Sequence, residues 1–171
     1  MQKLDDHVSE WFGQMRARNE AAADHFKSRK IPYDESNLIE VLQSSQDKFD
    51  LLWAAVALRE LGTTRAISAL KGAVKFKSLD VQGNAALTIA FLAGGGENGF
   101  LASLLVSKEY RAKFYAMTGI LYKEDAAHSA LPFVLEYLAK ATKGGKALAK
   151  TACEGLDWLY IARYGSHLPR A

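Results

Sequence analysis

The chain repeats itself at a step of 31 residues. Ala54-Ala55 returns as Ala85-Ala86 and again as Ala116-Met117. Leu58 returns as Ile89 and Ile120, Trp53 as Asn84 and Tyr115, Leu70 as Leu101, and Val74 as Leu105. A step of about 20 to 50 residues marks stacked units, each unable to bury its apolar face alone. Apolar residues within each copy recur at helical spacing, and the β-branched alternation of strands is absent. The chain is 49% hydrophobic and 171 residues long, enough for one domain with a sizeable core.

Each copy reads as helix, turn, helix. First helices are expected at about 49–61, 79–93 and 110–122, and second helices at about 64–76, 98–106 and 129–140. The third copy slips by one or a few positions in its second half, where Leu131, Leu135 and Leu138 make the stripe. A helix over about 3–29 precedes the repeats, with Leu4, Val8, Trp11, Met15, Ala22 and Phe26 on one face. Asp5 and Asp6 open it and Lys27, Arg29 and Lys30 close it, as the helix dipole favours. Its stripe breaks near Arg18 and Asn19, which leaves a bend or a second helix open. A short helix over about 37–44 follows the breaker Ile31-Pro32-Tyr33-Asp34, with Leu38, Ile39 and Leu42 turned inward. A last helix over about 147–163 carries Leu148, Cys153, Leu156, Leu159 and Tyr160. The expected organisation is one domain over 1–171: an N-terminal capping helix in 1–30, repeats over 37–140, and a closing cap over 147–163.

Asp80-Val81-Gln82-Gly83-Asn84-Ala85-Ala86-Leu87-Thr88-Ile89 resembles the HEAT-like repeat of short bacterial type, also found in phycobilisome lyases. Thr64-Arg65-Ala66-Ile67-Ser68-Ala69-Leu70 is similar to that repeat's second-helix opening. The resemblance implies an all-α solenoid of antiparallel helix pairs and says almost nothing about activity. The chain departs from the pattern where a repeat arginine is expected: Leu51, Gln82 and Lys113 stand there.

Gly94-Gly95-Gly96-Glu97-Asn98-Gly99 matches G-x-G-x-x-G letter for letter. A phosphate loop needs a strand before it and a helix after it. Here a helical segment precedes, and no Lys-Ser or Lys-Thr follows. At the repeat step the motif falls on Gly62-Thr63-Thr64, the turn inside a unit. It therefore reads as a turn, with glycine past one helix end and Asn98 capping the next.

The histidines, His7, His25, His128 and His167, form no pair at helical ligand spacing, and Cys153 sits among apolar neighbours. No metal, cofactor or catalytic set is expected. Ser129, beside His128, reads as a helix cap before Pro132. Tyr110, Phe114, Tyr115 and Tyr122 read as core or repeat-interface residues, and Trp11 and Trp158 as packing for the caps. The N-terminus has two aspartates where a signal peptide is basic, and no apolar run spans a bilayer; the expectation is a cytoplasmic protein away from membranes.

Net charge is +3, too mild to imply nucleic acid by itself. The lysines are placed more tellingly. Arg65, Lys71, Lys75 and Lys77 have no acidic neighbour in sequence, and Lys140, Lys143, Lys146 and Lys150 are similarly unopposed. Lys77 and Lys108 differ by the repeat step, and Lys140 lies one residue past the next. Stacking puts these three at second-helix ends along one edge. One reading is surface solubility and dipole compensation; the other is a basic strip for an acidic partner. Phe133, Tyr137 and Lys140 share a face off the leucine stripe and read either as partner anchors or as packing for the closing helix. The leading expectation is a non-catalytic protein-binding module, an adaptor or scaffold or a toxin-neutralising immunity protein, that uses the concave face and a lysine-bearing edge of the solenoid. Its candidate partner-binding residues are Lys71, Lys75, Lys77, Lys108, Phe133, Tyr137, Lys140 and Lys143. Nucleic-acid binding ranks second and a lyase-like enzyme third.

Overall fold

The structure, a computed structural model, describes residues 2–122. Among them every regular element is helical: α1 Gln2–Ser28, α2 Glu35–Ser44, α3 Lys48–Leu61, a 3-10 turn Thr64–Ala66 leading into α4 Ile67–Ala73, α5 Leu79–Ala93, α6 Asn98–Val106 and α7 Lys113–Tyr122. The expected helices over 129–140 and 147–163 lie outside the described residues, as do Phe133, Tyr137, Lys140, Lys143 and Cys153. So do the side chains of Leu4, Val8, Trp11 and Met15.

Local chemistry sets the ends. Asp34 caps α2 by accepting from the Asn37 amide at 3.0 Å, so that helix starts at Glu35 rather than Asn37. Asp47 caps α3 by accepting from the amides of Phe49 and Asp50 at 2.7 and 3.2 Å. α1 passes through Arg18 and Asn19 as one helix, because neither residue removes a backbone hydrogen bond. The helix expected at 64–76 is shorter: α4 ends at Ala73. The amides of Lys75 and Phe76 bond three residues back, to Gly72 and Ala73, which tightens the last turn. α7 begins at Lys113 rather than 110 because the Ser107 hydroxyl accepts from the amides of Glu109 and Tyr110, holding them in a turn.

The 31-residue step becomes a set of contacts. The Thr88 hydroxyl donates to the Ala55 carbonyl at 2.7 Å, tying α5 to α3. A Cβ on Gly83 would stand 2.5 Å from the Tyr115 ring, and one on Gly119 would stand 2.7 Å from Ala90 Cβ. Each pair is about one step apart, so α3, α5 and α7 lie side by side and parallel. Ala54, Ala55, Ala85, Ala86 and Ala116 are fully buried between them, where larger side chains would force the helices apart. α4 packs on α5, α6 on α7, and α2 on both α3 and α4. α1 runs the other way against α3, with Asn19 meeting Glu60 and His25 meeting Asp50. Leu38 and Leu42 are buried as expected; Ile39 is half-buried and packs against the core, and Val41 is buried with them.

Gly94-Gly95-Gly96-Glu97-Asn98-Gly99 is the turn from α5 into α6. Gly94 adopts the left-handed conformation (φ 58°, ψ 26°) that ends α5, and Gly95 also has positive φ, 102°. Asn98 does not cap α6. Glu97 holds the cap position and Asn98 is already helical and buried, because the Leu101 amide bonds back to the Glu97 carbonyl at 2.9 Å.

Candidate functional site

Because α3, α5 and α7 are parallel, their N-termini share one end of the stack. The connections feeding α5 and α7 run along that end. Lys75 and Lys77 are exposed on the first connection, Lys108 and Arg111 on the second. Lys77 and Lys108 were expected at second-helix ends; they lie beyond them, past Ala73 and Val106. Among the described residues, none of Lys75, Lys77 and Lys108 is ion-paired. Asp80 and Glu109 are exposed at the same end, so the edge is basic but not uniformly so.

Lys71 departs from this pattern. Its sequence neighbourhood lacks acid, but the fold brings Glu97 to it at 2.8 Å, and its ammonium sits 4.9 Å from the Phe100 ring centre. It bridges α4 to the glycine-rich turn and is not a free cation of the edge. Arg65, likewise expected unopposed, lies 3.7 Å from Glu35. Glu35 accepts from the Thr63 amide and hydroxyl at 2.6 and 2.7 Å, and these bonds, then Arg65, hold its carboxyl below the usual range.

At the step-related positions 82 and 113, polar side chains bind the neighbouring segments. Gln82, 5% exposed, donates to the Glu109 carbonyl at 3.2 Å and accepts from the Arg111 amide at 2.9 Å. It thereby fastens the connection that carries Lys108. Lys113 donates to the carbonyls of Leu104 (2.6 Å) and Ser107 at the end of α6; burial lowers its pKa. Leu51 is simply buried. One arginine does cross between units, from an unexpected place: Arg59 on α3 donates to Asn84 at 3.1 Å and Thr88 at 3.3 Å on α5. Nothing local marked Arg59; the signal was that its two partners are polar residues on an otherwise apolar repeat face.

Among the described residues, two hollows lie along the first helices. One of about 140 Å³ is walled by Trp53, Asn84 and Tyr115, the trio related by the repeat step, with Arg18, Asp80, Leu52 and Val56 around them. The other, about 610 Å³, opens between α1 and α3. Part of its polar lining is engaged internally: Asn19 donates to Glu60, and the Tyr33 hydroxyl donates to the Asn19 carbonyl at 3.4 Å; Arg16 and Glu20 line it as well.

His25 is likewise committed to structure. Its Nε2 lies 2.8 Å from Asp50, which also meets Arg29 at 3.1 Å and accepts from the Ser45 hydroxyl at 3.0 Å. The hydroxyl bonds the carboxylate rather than the imidazole, so this is not the order a serine nucleophile needs. The cluster ties α1 to the start of α3. Among the described residues, no group of His, Cys, Asp and Glu is placed to hold a metal ion, and no helix is long and apolar enough to cross a membrane. No family model, curated protein or solved structure matches the chain.

Proposed function

We propose that the chain is an α-solenoid of HEAT-like helix pairs, with α1 as its N-terminal cap, acting as a non-catalytic protein-binding module. Parallel α3, α5 and α7, one repeat step apart, support the solenoid reading. α1, laid antiparallel on α3, covers the side of the first unit that has no preceding repeat. Stacked units offer an extended surface on which equivalent residues fall in line.

The observation that carries the binding reading is the row of unpaired, exposed lysines, Lys75, Lys77 and Lys108, on two step-related connections at one end of the stack. A partner with an acidic surface fits it. An adaptor role and a toxin-neutralising role suit this architecture equally.

The test is affinity capture from the native host with wild-type protein and with a Lys75→Glu/Lys77→Glu/Lys108→Glu variant. The reading expects an acidic protein held by the wild type, released by salt, and bound at least about tenfold more weakly by the variant. Equal affinity of the two would sink the lysine edge. Retention of nucleic acid with a steep salt slope, and of no protein, would put nucleic-acid binding in its place.

A further inference from the structure

Among the described residues three large apolar side chains are conspicuously exposed: Phe49 (51%), Leu79 (51%) and Leu61 (38%). Two of them stand at the lysine-bearing end. Phe49 is in the first turn of α3 and Leu79 opens α5. Leu79 lies one repeat step after Lys48, so the fold sets these two first turns next to each other. The Lys48 ammonium lies 4.8 Å from the Phe49 ring centre, keeping positive charge beside the exposed ring. Scattered exposed apolar residues are ordinary. Two at the same end of the stack, among lysines free of ion pairs, are a different matter, because an interface core of bulky side chains inside a charged rim is what protein recognition uses.

Resting on the protein-binding reading, we propose that this end docks an acidic segment of a partner protein bearing two bulky apolar side chains roughly 10 Å apart, the spacing of adjacent packed helices. One apolar side chain covers Phe49 and the other Leu79; carboxylates between and beside them meet Lys75, Lys77 and Lys108. A protein segment fits better than a phosphate surface. Asp80 and Glu109 are exposed on the same edge, and a uniform polyanion would be repelled there. A polypeptide can set a cation or a neutral group opposite them. Bare apolar side chains also have no counterpart on a nucleic-acid backbone.

The test selects a displayed library of random peptides on the intact chain. The selected peptides are then measured by fluorescence anisotropy against wild type, a Phe49→Ser/Leu79→Ser variant and the triple lysine-to-glutamate variant. Both apolar positions are exposed, so unchanged melting is the control for folding. The proposal expects an acidic consensus with two large apolar residues, and a loss of about tenfold or more in each variant. An acidic consensus without the apolar pair, or full affinity in the serine variant, overturns this proposal and leaves the lysine edge standing. Peptides indifferent to the lysine reversal overturn both. A library that yields no binder overturns the proposal. So does lysine-dependent binding to phosphatidylserine-containing vesicles without peptide binding, which would assign the edge to a membrane.

Discussion

Gln82→Leu is the sharpest probe of how the basic edge is held. Leucine nearly matches glutamine in size, so the change removes two hydrogen bonds without opening a cavity. Lost are the donation to the Glu109 carbonyl at 3.2 Å and the acceptance from the Arg111 amide at 2.9 Å. Each is worth about 1 kcal/mol net, and leaving buried peptide groups unpaired adds to that. Glu109 and Arg111 are exposed, so water reaches their backbone and the added cost stays small. The expected loss is about 2 kcal/mol, a fall in melting temperature of roughly 4–8 °C for a chain of this size. The distinguishing assay is amide hydrogen exchange. The Arg111 amide should lose protection by more than the amides of α3, because the connection between α6 and α7 loosens before the core opens. Gln82→Glu keeps the acceptor and should leave the Arg111 amide protected. Because that connection carries Lys108, Gln82→Leu should also weaken partner binding. An Arg111 amide protected as in the wild type, or an unmoved melt, would refute the view that Gln82 fastens this connection.

Asp50→Asn should cost about 2 kcal/mol, since Arg29 and His25 would face a neutral group in a largely buried site; earlier proteolytic cleavage between α1 and α2 would report the loosened cap. Gly94→Ala should destabilise by about 1 kcal/mol because Gly94 is left-handed, whereas Gly99→Ala should stabilise by up to about 1 kcal/mol, its Cβ entering open space inside α6; thermal melts of the two variants should move in opposite directions. Asp34, Glu35 and Asp47 all have lowered pKa values, chiefly through hydrogen bonds from Asn37, Thr63 and the Asp50 amide respectively. Their stabilisation is present above the unfolded carboxylate range and is lost as pH falls below about 4. Tyr33 and Tyr110 have raised pKa values, mainly from burial, so their contribution is present at neutral pH and lost as pH rises above about 10. Melting temperatures across pH should show a plateau between these limits.

Within the described residues the repeat helices were legible because a side chain and its counterpart 31 residues on occupy the same surroundings. The packing that selected alanine at 54 and 55 selected it again at 85 and 86. First-helix boundaries followed from the repeat step at α3 and α5, even though α5 opens without a side-chain cap. They missed at α7, where the Ser107 hydroxyl consumes the next amides and delays the helix. The polar links were not legible. Lys71 reads as unopposed because Glu97 is distant in sequence, and only the packing of α4 beside the next turn joins them. Phe49 and Leu79 were missed for a related reason. A residue in a first turn belongs to no stripe, so its exposure depends on whether the neighbouring unit reaches over it.

The glycine-rich turn shows how a motif's letters and its physics can part company. A helix N-terminus attracts an anion because its first amides are unpaired and the dipole is positive there. α6 has such an end, with glycines before it. Glu97 stands at the cap position, but its side chain bonds none of the α6 amides; its carboxylate is held at 2.8 Å by Lys71 instead. A phosphate entering here would meet the Glu97 carboxylate as a like charge, and Lys71 is already paired with that carboxylate and faces Phe100. Gly94 and Gly95 are explained by backbone conformation, and Gly99 meets nothing that forbids a side chain. The charge in this turn therefore serves cohesion between two units. Lys75, Lys77 and Lys108, by contrast, carry no ion pair among the described residues, and they lie on the connections into α5 and α7.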